Sequence, residues 1–152
     1  MRGEPEHAAR PRDDGLVAAV IEREQRRVGA VRRERLEQFK LQMCAGLEVL
    51  PVSVGKLYSL RLLSLYGCSA LESLPDQIGD LENLQELNLR SCSGLSQLPA
   101  SFGQTLPALT SLDLSMCKGL TLLPETLGQC ANLQSLFMGN CLNVKELPAS
   151  IT

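Results

Sequence analysis

From residue 36 onward the apolar positions return in one fixed order. Leu84, Leu87 and Leu89, with polar residues between them, are followed by Cys92, Leu95, Leu98-Pro99 and Phe102. One period later stand Leu109, Leu112 and Leu114, then Cys117, Leu120, Leu123-Pro124 and Leu127. The opening half of the unit recurs at Leu36–Phe39–Leu41–Cys44, Leu60–Leu63–Leu65–Cys68 and Leu133–Leu136–Met138–Cys141. The cysteines Cys44, Cys68, Cys92, Cys117 and Cys141 mark the period, with steps of 24, 24, 25 and 24 residues. Self-similarity at a fixed step of this length is the mark of a solenoid.

Each unit reads as strand, turn and short outer helix. Leu-x-Leu alternates with period two, which suits a short strand with one buried face. The spacing predicts five parallel strands at Phe39–Leu41, Leu63–Leu65, Leu87–Leu89, Leu112–Leu114 and Leu136–Met138. The proline of Leu-Pro removes a backbone donor and fixes φ, so it redirects the chain. After it, the three-residue spacing of Ile78, Leu81 and Leu84 suits a helical or 3₁₀ turn. No unit can bury its leucines alone, so neighbouring units must stack.

The pattern L-x-x-L-x-L-x-x-C-x-x-L resembles the leucine-rich repeat. The second half, L-P-x-x-[I/V/F/L]-G-x-L, clearest at Leu74-Pro75, Ile78-Gly79 and Leu81, is similar to the intracellular plant-type variety. Units of that kind occur in plant nucleotide-binding immune receptors and in Ras-associated scaffold proteins. The resemblance covers residues 36–152. It implies an α/β leucine-rich-repeat solenoid: a short right-handed arc with a concave parallel sheet, preceded here by an N-terminal helix.

The periodic cysteines take the place of the asparagine found in many such repeats. Their expected role is to sit inside the turn after each strand, with a weak S–H donor near loop carbonyls. Zinc would need clustered ligands such as C-x₂₋₄-C, and the chain has none; its one histidine, His7, lies in the N-terminal tail. Stacked strands place successive cysteines roughly 5 Å apart, so distance alone leaves disulfides open. Inward-pointing side chains and a reducing setting argue against them. Cys130 breaks the period and falls at the place of Leu57 and Leu81, as a small apolar core residue.

Composition narrows the function. The formal charge of −2 provides no basic field for nucleic acid. Five aromatics (Phe39, Tyr58, Tyr66, Phe102 and Phe137) are too few for a base-stacking platform. No apolar run approaches the length of a membrane span, the first residues do not read as a signal peptide, and no N-x-[S/T] sequon occurs. With several reduced cysteines, the expected location is cytoplasmic, with the nucleus as the alternative.

The chain divides by charge. Residues 1–35 hold nine arginines and seven acids, whereas residues 36–152 hold six basic residues and ten acids. Residues 1–14, polar and interrupted by Pro5 and Pro11, read as a disordered tail. Residues 15–35 read as an Arg-rich capping helix, with Asp13 or Asp14 as N-cap and Val17, Val20/Ile21, Val28 and Val31 as its apolar stripe. That stripe is expected to cover the open end of the first repeat, because terminal repeats need caps. The arginines Arg23, Arg26, Arg27, Arg32, Arg33 and Arg35 also admit a nuclear signal, an anionic partner or a calmodulin-target helix, although Glu22 stands where an IQ motif needs glutamine.

Under the resemblance, leucines on each strand point inward and the residues between them point out. The central outward column is Lys40, Ser64, Asn88, Asp113 and Phe137. One flank is Gln42, Tyr66, Arg90, Ser115 and Gly139; the other is Gln38, Leu62, Glu86, Ser111 and Ser135. The expected protein-binding set is Lys40, Gln42, Leu62, Ser64, Tyr66, Glu86, Asn88, Arg90, Asp113 and Phe137. Tyr and Arg are enriched among binding hot spots. The extra residue in the stretch 101–107 is expected to bulge on the outer side. After Cys141 the chain stops within a unit, which reads either as a fragment of a longer array or as an apolar edge covered by a partner, with self-association through it.

No catalytic constellation stands out. There is no G-x-x-x-x-G-K-[S/T] loop and no Cys-His pair in the repeat region. No cofactor is expected. The function implied is a non-catalytic protein-interaction module in signalling or defence. The alternatives are a substrate-recognition adaptor of a ubiquitin-ligase complex, or a fragment of a larger immune receptor.

Overall fold

A computed structural model describes residues 13–27 and 36–151. One α-helix, α1 (Asp13–Arg27), precedes five three-residue strands: β1 (Gln38–Lys40), β2 (Leu62–Ser64), β3 (Glu86–Asn88), β4 (Ser111–Asp113) and β5 (Ser135–Phe137). They form one parallel sheet in chain order. Neighbouring strands pair in strict repeat register, Phe39 opposite Leu63, Leu63 opposite Leu87, Leu87 opposite Leu112 and Leu112 opposite Leu136. The architecture is the expected leucine-rich-repeat solenoid.

Each strand begins one residue earlier than the Leu-x-Leu spacing suggests. The paired backbone nevertheless continues beyond it: Leu41 N donates to Ser64 O, Leu65 N to Asn88 O, Leu89 N to Asp113 O and Leu114 N to Phe137 O. The ladder reaches one step further still, from Met43 N to Tyr66 O and from Ser91 N to Ser115 O. Regular pairing ends there because the next residues must turn inward. The residue before each periodic cysteine has positive φ: Met43 at 57°, Gly67 at 73°, Ser91 at 62°, Met116 at 64° and Asn140 at 63°. Only one of the five is glycine, so the turn is imposed by stacking rather than chosen locally.

The outer side is built as 3₁₀ turns at Val52–Lys56, Asp76–Asp80, Glu125–Gln129 and Ala149–Ile151. Pro51, Pro75 and Pro124 stand immediately before the first three, in extended backbone. The inserted residue falls in the unit that lacks such a turn. There the chain makes two separate turns closed by the same three-residue step, Phe102 N to Pro99 O and Gln104 N to Ser101 O. Gly103 between them has φ of 99°, and a Cβ on it would run into the Thr126 carbonyl of the next unit. The expected outer bulge is therefore a local replacement of 3₁₀ helix by turns.

The core is one continuous column of leucines with Phe39, Val54, Ile78 and Phe102. Among the described residues, no buried side-chain nitrogen or oxygen lacks a hydrogen-bond partner. The ends differ. Val17 and Ile21 of α1 are buried, and the helix packs against the Val52–Lys56 turn. Val20, expected in the same stripe, is instead exposed. The helix starts at Asp13, two residues before the expected boundary at 15, and Val28, Val31 and the arginines beyond Arg27 lie outside the described residues. Residues 1–12 of the expected tail also lie outside them. At the far end Leu133, Leu136, Met138, Val144 and Ile151 are only partly buried, while Leu142 and Leu147 are exposed.

Candidate functional site

Two surfaces of the sheet have different chemistry. The inner one begins with the cysteines. Cys68 Sγ donates to Leu41 O at 3.5 Å, Cys92 to Leu65 O at 3.1 Å, Cys117 to Leu89 O at 3.1 Å and Cys141 to Leu114 O at 2.9 Å. Each thiol thus ties its own turn to the end of the strand one unit earlier. Cys44, with no earlier unit described, turns to its own Gln42 O at 3.8 Å. Cys68, Cys92 and Cys117 are fully buried, and none of the six cysteines forms a disulfide. Burial, reinforced by the neighbouring thiols of Cys117 and Cys68, pushes the Cys92 thiol up to about 12. Burial, with Cys141 and Asp113 nearby, does the same to Cys117. A thiol held neutral in this way is a poor nucleophile and a poor metal ligand. Among the described residues, no group of histidine, cysteine and carboxylate side chains could hold a metal ion. Cys130 caps the Glu125–Gln129 turn as Leu57 and Leu81 cap theirs, and it too is buried.

The outer surface of the sheet carries the expected binding residues, and the register aligns them as anticipated. Lys40, Ser64, Asn88, Asp113 and Phe137 face one another across successive strands. Gln38, Leu62, Glu86, Ser111 and Ser135 form the adjoining column. Lys40, Gln42, Glu86 and Arg90 are exposed, whereas Leu62, Asn88 and Asp113 are half-buried. Tyr66 is 36% exposed and Phe137 52%, so both aromatic rings are available.

Ser64 departs from expectation. It is only 5% exposed and cannot serve as a contact residue. It is short, and its cross-strand neighbours, Lys40 and Asn88, stand on both sides of it. Ser115 is buried as well, at 9%. Asn88 and Asp113 also have a second duty. Asn88 Oδ1 accepts from Arg90 N at 3.0 Å, and Asp113 Oδ1 from Ser115 N at 2.8 Å. These Asx turns fix the side chains of the central column and aim the backbone that carries Arg90. What remains accessible is a mixed surface: cations at Lys40 and Arg90, carboxylates at Glu86 and Asp113, aromatic rings at Tyr66 and Phe137. Such a surface can recognise a shaped, polar partner.

Sequence reasoning missed a groove on the flank. Beyond the cysteine turn the chain runs extended, and a second backbone ladder joins the units: Glu72 N to Glu48 O, Ser96 N to Glu72 O and Thr121 N to Ser96 O. Between this ladder and the outer turns lies a groove of about 460 Å³, lined by Leu74, Asp76, Leu98, Pro99, Leu122, Pro124 and Glu125, among others. The signal was present in the prolines, which recur with the period at Pro51, Pro75, Pro99, Pro124 and Pro148.

Comparison with known proteins agrees with this geometry. The family model described as a leucine-rich repeat region matches residues 34–148. A search of curated proteins found no match. Among solved structures, the plant peptide hormone receptor RGFR1 in complex with RGF2 is 28% identical with a TM-score of 0.50. That match covers 76% of this chain and 22% of the receptor, so the chain spans a minor part of the receptor's length. A leucine-rich-repeat protein of Leptospira interrogans is 25% identical with a TM-score of 0.34, covering 69% of this chain and 43% of that one. The leucine-rich-repeat domain of the type III effector XopL is 18% identical with a TM-score of 0.43, covering 96% and 81%.

Proposed function

This chain belongs to the leucine-rich-repeat family, and on that premise we propose that it is a non-catalytic module binding a protein partner on the concave strand face. The fold generally serves protein–protein interaction. The observation that carries the reading is the pair of accessible aromatic rings, Tyr66 and Phe137, on an otherwise polar sheet surface. Around them stand Arg90, Glu86 and Lys40, with Asp113 partly accessible. Buried aromatics with arginine make the energetic centre of an interface, and the surrounding charges set register and partner choice. The pathway we assign is signalling or defence, and the compartment is the reducing interior of the cell, cytoplasmic or nuclear. The buried, unoxidised thiols support that placement, since the ladder needs each S–H as a donor.

A photoreactive residue at position 86, on the exposed rim of the concave face, tests this directly. The expected result is crosslinking to one defined protein, lost when Phe137→Glu or Arg90→Glu is added and retained with Lys56→Glu in the Val52–Lys56 turn, away from the sheet. Equal crosslinking from a probe placed at position 82, away from the sheet, would sink the assignment of the face. Recovery of ubiquitin-ligase subunits at position 86 would make the chain a substrate adaptor rather than a signalling module.

A further inference from the structure

We propose that the flank groove between the second backbone ladder and the outer turns binds a short, extended segment of a partner protein carrying one apolar and two basic side chains. The groove crosses three units. Its floor is Leu98 with Leu74, both nearly buried, and the rings of Pro99 and Pro124. One wall is Leu122, which is 52% exposed. A single exposed leucine is ordinary on a protein surface. Leu122 differs because the positions one and two units earlier in the same column are Gln97 and Ser73, and all three line the one groove.

Charge selects the occupant. Among the described residues, the titratable ones lining the groove are Asp76 and Glu125, with no lysine, arginine or histidine beside them. The two carboxylates occupy the same repeat position two units apart, roughly 10 Å by ordinary strand spacing. Ala100 stands between them, and its short side chain leaves the middle open. The Ala100 carbonyl is already engaged, accepting from Thr126 Oγ1 at 2.8 Å. The unit containing Ala100 is also the one without a 3₁₀ helix.

An extended peptide presents side chains i, i+2 and i+4 to one face, spanning about 13 Å. An apolar residue at i+2 would lie against Leu122 and Pro99, while arginines at i and i+4 reach Asp76 and Glu125. Arginine–carboxylate contacts of this kind are charge-assisted and directional. The groove lies outside the concave set, so this inference stands or falls apart from the concave-face reading.

The test is a fluorescence-anisotropy titration of the full chain with labelled acetyl-Arg-Ala-Leu-Ala-Arg at low salt. Saturable binding is expected, weakened at least ten-fold by Asp76→Asn with Glu125→Gln and weakened again by added salt. Leu122→Ser should also weaken it, whereas Phe137→Glu on the concave face should leave it unchanged. Denaturation midpoints matching the unaltered chain confirm that the variants fold. No saturable binding, equal binding by the neutralised variant, or equal binding of the glutamate version of the peptide would overturn the proposal. Two further results would also overturn it by assigning another occupant. One is peptide binding that appears only after residues 1–35 are removed, which would make the chain's own arginines the occupant. The other is a concentration-dependent dimer abolished by Leu122→Ser, which would make it a second copy.

Discussion

Cys117 Sγ lies 3.1 Å from the carbonyl oxygen of Leu89, the residue that ends the preceding unit's buried strand pattern. The same relation joins Cys92 to Leu65 at the same distance. The site therefore asks for a small side chain with a donor. Cys92→Ser should retain the bond and be tolerated. Cys92→Ala should remove the thiol bond while the Leu65 carbonyl keeps the Cys68 N–H at 3.1 Å, a loss of about 0.5–1.5 kcal/mol. Cys92→Leu should overpack the turn, at about 1–3 kcal/mol, with a poorly defined native state. Urea unfolding of the three variants checks the order, and a serine variant less stable than the leucine one would refute the donor argument.

Stability at high pH follows from the same thiols. Their native values are raised, to about 12 for Cys92 and Cys117, above the ordinary value of 9.0. Above pH 9 the unfolded chain loses these protons and the native one keeps them, so the unfolded state binds fewer protons and stability must fall as pH rises. The contribution is fully present below pH 9 and is lost between pH 9 and 12. Unfolding midpoints measured across that window should decline, and the decline should shrink in Cys92→Ser with Cys117→Ser. At neutral pH, a disulfide reagent should modify the partly exposed Cys44 and Cys141 well before Cys68, Cys92 and Cys117.

Ser91 and Gly67 occupy the same left-handed turn position, with φ of 62° and 73°. They should respond oppositely to exchange. Ser91→Gly relieves a conformation that costs an L-residue roughly 1–2 kcal/mol, offset by greater freedom in the unfolded chain, so a net gain of up to about 1 kcal/mol is expected. Gly67→Ala adds that strain and drives a Cβ into the Met43 thioether, so it should destabilise. Thermal or urea denaturation of the pair settles this, and a stabilising Gly67→Ala would mean the turn is not held as described.

The strands, the cysteine turns and the outer turns were legible because a period of about 24 residues repeats one local pattern five times. Phe39, Leu63, Leu87, Leu112 and Leu136 could be aligned without coordinates, and the register bears them out. The burial of Ser64 was not legible, because it depends on the length of Lys40 and Asn88 on neighbouring strands rather than on its own place in the unit. The left-handed turns at Met43, Ser91 and Met116 were hidden for a related reason: stacking imposes φ on residues that carry no conformational signal. The flank groove escaped notice because its residues come from three units and none is apolar at a periodic core position except Leu74 and Leu98.

The two ends of the array should differ in how they open. At the α1 end, Val17 and Ile21 are buried over the first outer turn. At the other, Leu142 is 78% exposed and Leu147 is 53% exposed, while Val144 and Ile151 are only partly buried. Stability in a solenoid is a sum over neighbouring interfaces, so a unit with one neighbour opens at lower free energy. Amides beyond Cys141 should exchange fastest within the repeat region, and those of Leu87, Leu89, Leu112 and Leu114 slowest. The 152-residue chain should also self-associate at high concentration, with Leu142→Glu and Leu147→Glu suppressing it. Deleting residues 1–35 creates a second open face by uncovering what Val17 and Ile21 protect. Sedimentation should then show stronger association, and the urea midpoint should fall. If the shortened chain proved as soluble and as stable as the full one, α1 contributes no protection, and its arginines would need a partner to explain them.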